Sequence, residues 1–80
     1  MKTEQLNLDK QVCDFFSQLV KEQRAHIQLQ VGFPELDVNG NETVDVIVNY
    51  EDGELLNRLL LEAVNKRIEL ESLKYENKDF

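Results

Sequence analysis

The spacing of apolar residues changes once along this chain, from a helical period to a strand period. Near the N-terminus they recur every three or four positions, and at 100° per residue they fall within one sector of a helical wheel. That sector consists of Leu8, Val12, Cys13, Phe15, Phe16, Leu19 and Val20. The pattern predicts one amphipathic helix over roughly residues 4–25, with a single buried face.

After this helix, apolar and polar residues alternate from Ile27 to Phe33 and again from Val44 to Tyr50. Alternation of this kind is typical of half-buried strands, and Asn39-Gly40 between them is a turn sequence. The alternation changes phase at Pro34-Glu35, which predicts a bulge there. With a three-residue loop, the predicted pairs are Leu36 with Val44, Phe33 with Val46, Val31 with Val48, and Leu29 with Tyr50. All of these side chains would then share one face of the hairpin.

A second helix is predicted from a cap at Asp52 to about Glu76. One side of this helix carries seven aliphatic residues, namely Leu55, Leu56, Leu59, Leu60, Ala63, Leu70 and Leu73. A second stripe, at heptad-like spacing and interrupted by Glu71, consists of Leu61, Val64, Ile68 and Tyr75. The first side should cover the hairpin and the first helix.

These elements give a two-layer α-β-β-α unit of the α+β class, with an antiparallel hairpin packed against two helices in a single domain over residues 1–80. A two-stranded sheet with open edges is marginal alone, and the second stripe has no remaining element to meet. We therefore expect a homodimer, formed through helix 2 or through sheet extension, with Leu61, Val64, Ile68 and Tyr75 as the interface. The alternative is that Leu6 and Leu8 fold over the stripe.

Charge is distributed unevenly along the sequence. The chain has 16 acidic and 9 basic residues, a formal charge of −7, yet no Lys or Arg stands between Arg24 and Arg58. That interval contains Glu35, Asp37, Glu42, Asp45, Glu51, Asp52 and Glu54. Unpaired carboxylates repel one another unless a cation or a basic partner screens them. A solvated surface explains some of these acids, since Asp52 and Glu54 suit a helix N-terminus.

Composition excludes several classes of partner and compartment. An acidic chain is repelled by nucleic acid and by anionic membranes, so direct binding to either is not expected. No apolar run is long enough to span a bilayer, and the N-terminal segment lacks the apolar core of a signal peptide. The single cysteine, Cys13, forms no disulfide within the chain. These features predict a cytoplasmic protein.

Residues with catalytic or metal-binding chemistry are few. Cys13 and His26 are thirteen positions apart, about 20 Å along one helix, which is too far for a nucleophile–base pair. Asp37 to Asn41 begins like an EF-hand calcium loop, but Glu42 occupies the glycine position and Val48 the bidentate position. We therefore predict no enzyme activity, no cofactor and no metal.

Two functions follow from these patterns. The first is a non-enzymatic module that binds a basic protein through its acidic hairpin, with Glu35, Asp37, Glu42, Asp45 and Glu51 as the contact residues. Its sharpest form is a small phage-type inhibitor, or DNA mimic, of a nucleic-acid-binding protein, with carboxylates in place of phosphates. The second is a structural or assembly subunit that self-associates through the helix 2 stripe.

Overall fold

The computed structural model describes residues 1–76, with side chains for residues 1–73, as an antiparallel four-stranded sheet and two helices. The elements are β1 (Lys2–Asp9), α1 (Lys10–Glu22), β2 (Ile27–Val31), β3 (Glu35–Leu36), β4 (Glu42–Tyr50) and α2 (Gly53–Glu76). A small α+β fold is thereby confirmed. The predicted α-β-β-α order is wrong, because a strand precedes the first helix.

The boundary between β1 and α1 is set by Asp9. Its Oδ1 accepts hydrogen bonds from the backbone N–H groups of Gln11 at 2.9 Å and Val12 at 3.4 Å, which satisfies donors that a helix N-terminus leaves free. The helix therefore begins at Lys10, and the predicted start near residue 4 is wrong. Leu6 and Leu8 belong to the alternation of a strand and not to the helical sector.

The centre of the sheet is β4, with β1 on one side and β2 and β3 on the other. The β1–β4 pairing runs from Lys2 opposite Tyr50 to Asp9 opposite Thr43. The prediction of a two-stranded sheet is thus wrong, and β1 supplies the neighbour that the hairpin lacked. All pairings among the described strands are antiparallel to β4, so β1 and β2 run in the same direction.

The predicted bulge is present between β2 and β3. Val31 pairs with Val46 and Glu35 pairs with Thr43, so the three residues 32–34 lie opposite the two residues 44–45. The Gly32 N–H donates to the carbonyl oxygen of Asp45 at 2.8 Å within this bulge. The predicted register was wrong by two residues, because Val31 lies opposite Val46 and not Val48. A register shift of two residues leaves every side chain on the same face of the sheet, so the alternation of apolar and polar residues cannot distinguish the two registers.

Both helices pack on the face of the sheet that carries the even-numbered residues of β4. The buried core joins five residues of α1, five of the strands and three of α2. These are Val12, Cys13, Phe16, Leu19, Val20, Ile27, Val44, Val46, Val48, Tyr50, Leu56, Leu59 and Ala63. The opposite face, where Asp45 and Ile47 are exposed, has no helix over it within the described residues.

α1 ends in a Schellman motif with an arginine at its left-handed position. The Ala25 N–H donates to the Val20 carbonyl at 3.1 Å and the Arg24 N–H donates to the Lys21 carbonyl at 3.3 Å. Arg24 has a φ of 50°, a conformation that glycine adopts at lower cost than residues with a Cβ. The turn that leads into β2 is therefore closed by a residue under backbone strain.

Replacing Arg24 with Gly is expected to raise the free energy of unfolding by about 0.5–1 kcal/mol, because the strain is relieved while the hydrogen bonds remain. The midpoint of urea unfolding measures this gain. Arg24→Ala is the matched control, since it removes the charge but keeps the Cβ. An equal gain for Ala would assign the effect to charge and contradict the conformational explanation.

Candidate functional site

The hairpin between β2 and β4 projects beyond the core, and its residues 33–42 are called the hairpin tip below. A carboxylate organises its loop: Asp37 Oδ1 accepts hydrogen bonds from the N–H groups of Asn39 and Asn41, both at 2.9 Å. The Asp37 N–H donates to the Asn41 carbonyl at 2.9 Å, and Gly40 has a φ of 81°. These hydrogen bonds stabilise the turn through the Asp37 side chain.

The hairpin tip presents three large apolar side chains to solvent. Phe33 is 92% exposed, Leu36 is 72% exposed and Val38 is fully exposed. The prediction that Phe33 and Leu36 face the core is wrong, because Phe33 lies in the bulge and Leu36 pairs with Glu42 near the end of the sheet. Their exposure makes the hairpin tip a mixed apolar and acidic surface.

The acids predicted to bind a partner have different structural situations. Glu35 and Glu42 lie at the hairpin tip, where they are exposed. Asp37 holds the loop through its side chain, and Asp45 accepts a hydrogen bond from Asn7 Nδ2 at 2.8 Å on the open face of the sheet. Two of the five carboxylates thus already bind groups of this chain.

Glu51 lies at the other end of β4 from the hairpin tip. At about 3.3 Å per residue, its backbone is about 30 Å from that of Glu42 along the strand. Asp52 lies beside it and caps α2, its Oδ1 accepting hydrogen bonds from the N–H groups of Glu54 at 3.0 Å and Leu55 at 3.3 Å. The acidic interval of the sequence is therefore divided between two ends of the sheet, separated by well over the screening length in physiological salt.

A lysine lies near the acids of the hairpin tip. Lys10 donates to both carboxylate oxygens of Asp14, at 3.0 and 2.9 Å. This hydrogen bond and the charge of Asp14 raise the pKa of Lys10, and the nearby charge of Glu42 adds to the effect. Lys10, which lies outside the acidic interval in sequence, is therefore close enough to Glu42 in the fold to offset part of its charge.

Three residues of the second stripe of α2 are exposed in the described part of the chain. Leu61 is 62% exposed, Val64 is 39% exposed and Ile68 is 52% exposed. The side chain of Tyr75, the fourth predicted interface residue, lies outside the described residues. The alternative that Leu6 and Leu8 cover the stripe is wrong, because both pack against the core from β1.

Cys13 and His26 are not brought together. Cys13 is buried in the core, and burial raises the pKa of its thiol, which disfavours the reactive thiolate. His26 is exposed between α1 and β2. Among the side chains of residues 1–73, no group of three or more His, Cys, Asp or Glu is placed to hold a metal ion. Within residues 1–76, neither helix is both long and apolar enough to cross a membrane.

Two features of the surface were missed at the sequence level. The first is the apolar part of the hairpin tip, for which the signal was Pro34, since a proline next to Phe33 interrupts strand pairing and leaves its neighbour outside the ladder. The second is the outer edge of β1, for which the signal was the Leu6-Asn7-Leu8 alternation before a capping aspartate.

Comparisons with known proteins returned nothing for this chain: no family model, no curated protein and no solved structure matches it.

Proposed function

We propose that this chain is a non-enzymatic protein-binding module that docks its hairpin tip on a basic partner protein. The observation that carries the proposal is the exposure of Phe33, Leu36 and Val38 on a loop that hydrogen bonds hold in place. A few side chains that are buried in pockets of the partner, many of them aromatic, supply most of the affinity of a protein interface, and burial of apolar surface adds to it. The partner should therefore have an apolar pocket, called the socket below, that receives these side chains.

The conformation of the loop favours binding. Ordering a flexible segment on association costs free energy, and a segment that is already ordered avoids much of that cost. The bonds to Asp37 Oδ1 fix the turn before a partner arrives. In this proposal Asp37 is a positioning residue, and Glu35 and Glu42 contact the partner.

The acids of the hairpin tip favour a partner surface with positive charge. Glu35 and Glu42 flank the exposed apolar side chains, so Lys or Arg residues around the socket would complement them. The narrower hypothesis, a phage-type inhibitor or DNA mimic, requires a more extended array of free carboxylates. Because Asp37 and Asp45 already bind groups of the chain, we propose apolar docking with an acidic rim in preference to phosphate mimicry. We further propose that the partner is cytoplasmic.

The test compares capture of proteins from nuclease-treated lysate of the native host by four immobilised forms of the chain. The wild type is expected to retain a basic protein that is lost when Phe33, Leu36 and Val38 are all replaced by Ser. Glu35→Gln with Glu42→Gln should weaken its capture and reduce the sensitivity of capture to salt.

The matched control is Glu51→Gln with Glu54→Gln, which removes the same charge at the opposite end of β4. This variant should retain the partner as the wild type does. If all four forms capture the same proteins, the hairpin tip is a solvated surface and the proposal is wrong. Equal loss in both charge variants would indicate a general charge effect and also contradict docking at the hairpin tip.

The second candidate function, a structural subunit that self-associates, is favoured by the exposure of Leu61, Val64 and Ile68 along one side of α2. The two functions are compatible, because the hairpin tip and this stripe belong to different elements. A self-associated chain would present more than one hairpin tip, and the added sites would raise avidity for a partner with repeated sites.

A further inference from the structure

Within the part of the chain that the structure describes, two surfaces without a partner lie side by side: the outer edge of β1 and the exposed stripe of α2. We propose that a second copy of the chain covers both around a single two-fold axis, with β1 antiparallel to β1 and α2 beside α2. The inference rests on the second candidate function, self-association through the stripe, and does not depend on docking by the hairpin tip.

The position of α2 follows from two contacts. Arg67 Nε lies 3.2 Å from Asp9 Oδ1, an ion pair without a hydrogen bond, and this places the second half of α2 beside the end of β1. α1 lies on the same face towards the opposite edge of the sheet, where Ser17 and Val20 border a groove with Leu29 of β2. α2 is therefore the helix nearest the β1 edge.

The stripe faces away from α1. On the side of α2 towards α1, Glu62 Oε2 accepts a hydrogen bond from Gln23 Nε2 at 3.4 Å. At 100° per residue, the stripe lies about a quarter turn around the helix axis from Arg67. It lies on the side of Arg67 that is away from Glu62. Since α1 lies over β2, the stripe faces outward beyond the β1 edge of the sheet. The α2 helix of a second copy that pairs through β1 would lie there.

The two edges of the sheet differ in their capacity to accept a strand. β2 is followed by the bulge at residues 32–34, where Pro34 has no N–H, and such interruptions prevent edge pairing. β1 continues without a break for eight residues, Lys2–Asp9, and no strand among residues 1–76 pairs with its outer side. The β1 edge is therefore the one open to a second strand.

The side chains of β1 suit pairing with themselves. Leu6 and Leu8 point to the helical face, opposite Val46 and Val44 of β4. With Asn7 on the two-fold axis, Leu6 of one copy lies opposite Leu8 of the other, which continues the apolar row across the junction. Because the interface is isologous, it closes at two copies and forms no fibre.

The first test is the mass of the full chain in solution, measured by sedimentation equilibrium. The wild type is expected at twice the 9.4 kDa mass of one chain. Val64→Glu with Ile68→Glu should raise the dimer dissociation constant about 100-fold or more, since unpaired charges would be buried. Leu73→Glu is the matched control, because Leu73 is 56% exposed on another side of the same helix, and it should leave the dimer intact.

The second test is hydrogen exchange of the β1 amides, which reports on the strand contact without substitution. Successive N–H groups of a strand point to opposite sides, so half of those in β1 face β4 and half face outward. In the dimer the amides that face β4 and the outward amides within residues 5–9, which the register around Asn7 pairs, should be protected; in the double Glu variant only the amides facing β4 should be. A monomeric wild type, a dimer unaffected by the double substitution, or a dimer with freely exchanging outward amides would overturn the proposal.

Discussion

Replacing Phe16 with Ala is expected to lower the free energy of unfolding by about 3–5 kcal/mol. Phe16 has no exposed surface and lies on α1 within the core formed with β4 and α2. Truncation removes the transfer free energy of the ring and leaves a cavity that neighbours fill only in part. A domain of 80 residues has few kcal/mol to spare, so the variant should be largely unfolded at 37 °C. Circular dichroism during urea and thermal unfolding measures the loss.

Phe33→Ala is the matched control for this prediction. It makes the same chemical change in a side chain that is 92% exposed, so the free energy of unfolding should change by less than about 0.5 kcal/mol. A large loss of stability at Phe33 would mean that the hairpin tip packs against the rest of the chain. That result would also remove the basis for proposing the hairpin tip as a docking surface.

Replacing Val46 with Asp is expected to prevent folding under ordinary conditions. Val46 has no exposed surface, and it lies on the central strand between Leu6 of β1 and Val31 of β2. Burying a carboxyl group there without a partner costs several kcal/mol, whether the group is charged or protonated. Loss of the far-ultraviolet dichroism of the native fold would show the effect.

Ile47→Asp is the matched control on the same strand. Ile47 is 38% exposed on the open face of the sheet, where a carboxylate remains in water. The expected loss is about 1 kcal/mol or less, from reduced strand propensity and the nearby charge of Asp45. Equal effects at Val46 and Ile47 would contradict the assignment of the helical face to the even-numbered residues of β4.

Sequence periodicity predicted well those elements whose apolar residues have one consistent spacing. The second helix was predicted from Asp52 to Glu76, and α2 spans Gly53–Glu76 with Asp52 as its cap. The bulge near Pro34 was also predicted correctly, because a change of phase between odd and even positions has no other explanation in a continuous hairpin. Both successes depend on patterns within a short segment.

β1 was missed because its apolar residues fit two periods at once. Leu8 and Val12 are four positions apart, so the helical sector of α1 could be extended backwards over a strand. The decisive residue is Asp9, whose carboxylate caps the helix and ends the strand. The strand itself is stabilised by pairing with β4, a contact between distant segments that local spacing does not encode.

The candidate site was predicted in part for the same reason. The sequence identified Glu35 and Glu42 as exposed acids of the hairpin, and the structure puts both at the hairpin tip. It grouped Glu51 with them because the three stand in one interval without basic residues. Glu42 begins β4 and Glu51 follows its last residue. Because β4 is an extended strand of nine residues, Glu51 lies far from the other two acids.

The central place of β4 in the sheet has a consequence for how the chain folds. Asp9 pairs with Thr43 and Lys2 with Tyr50, separations of 34 and 48 residues, so the sheet is built from contacts between distant parts of the sequence. Long loops must close, with a loss of conformational entropy, before such contacts can form and stabilise the chain. Contacts of this kind therefore slow folding. During synthesis β1, α1 and β2 leave the ribosome first, and neither strand has a neighbour until β4 follows. Until then, the core face of α1 stays exposed to water and to other chains.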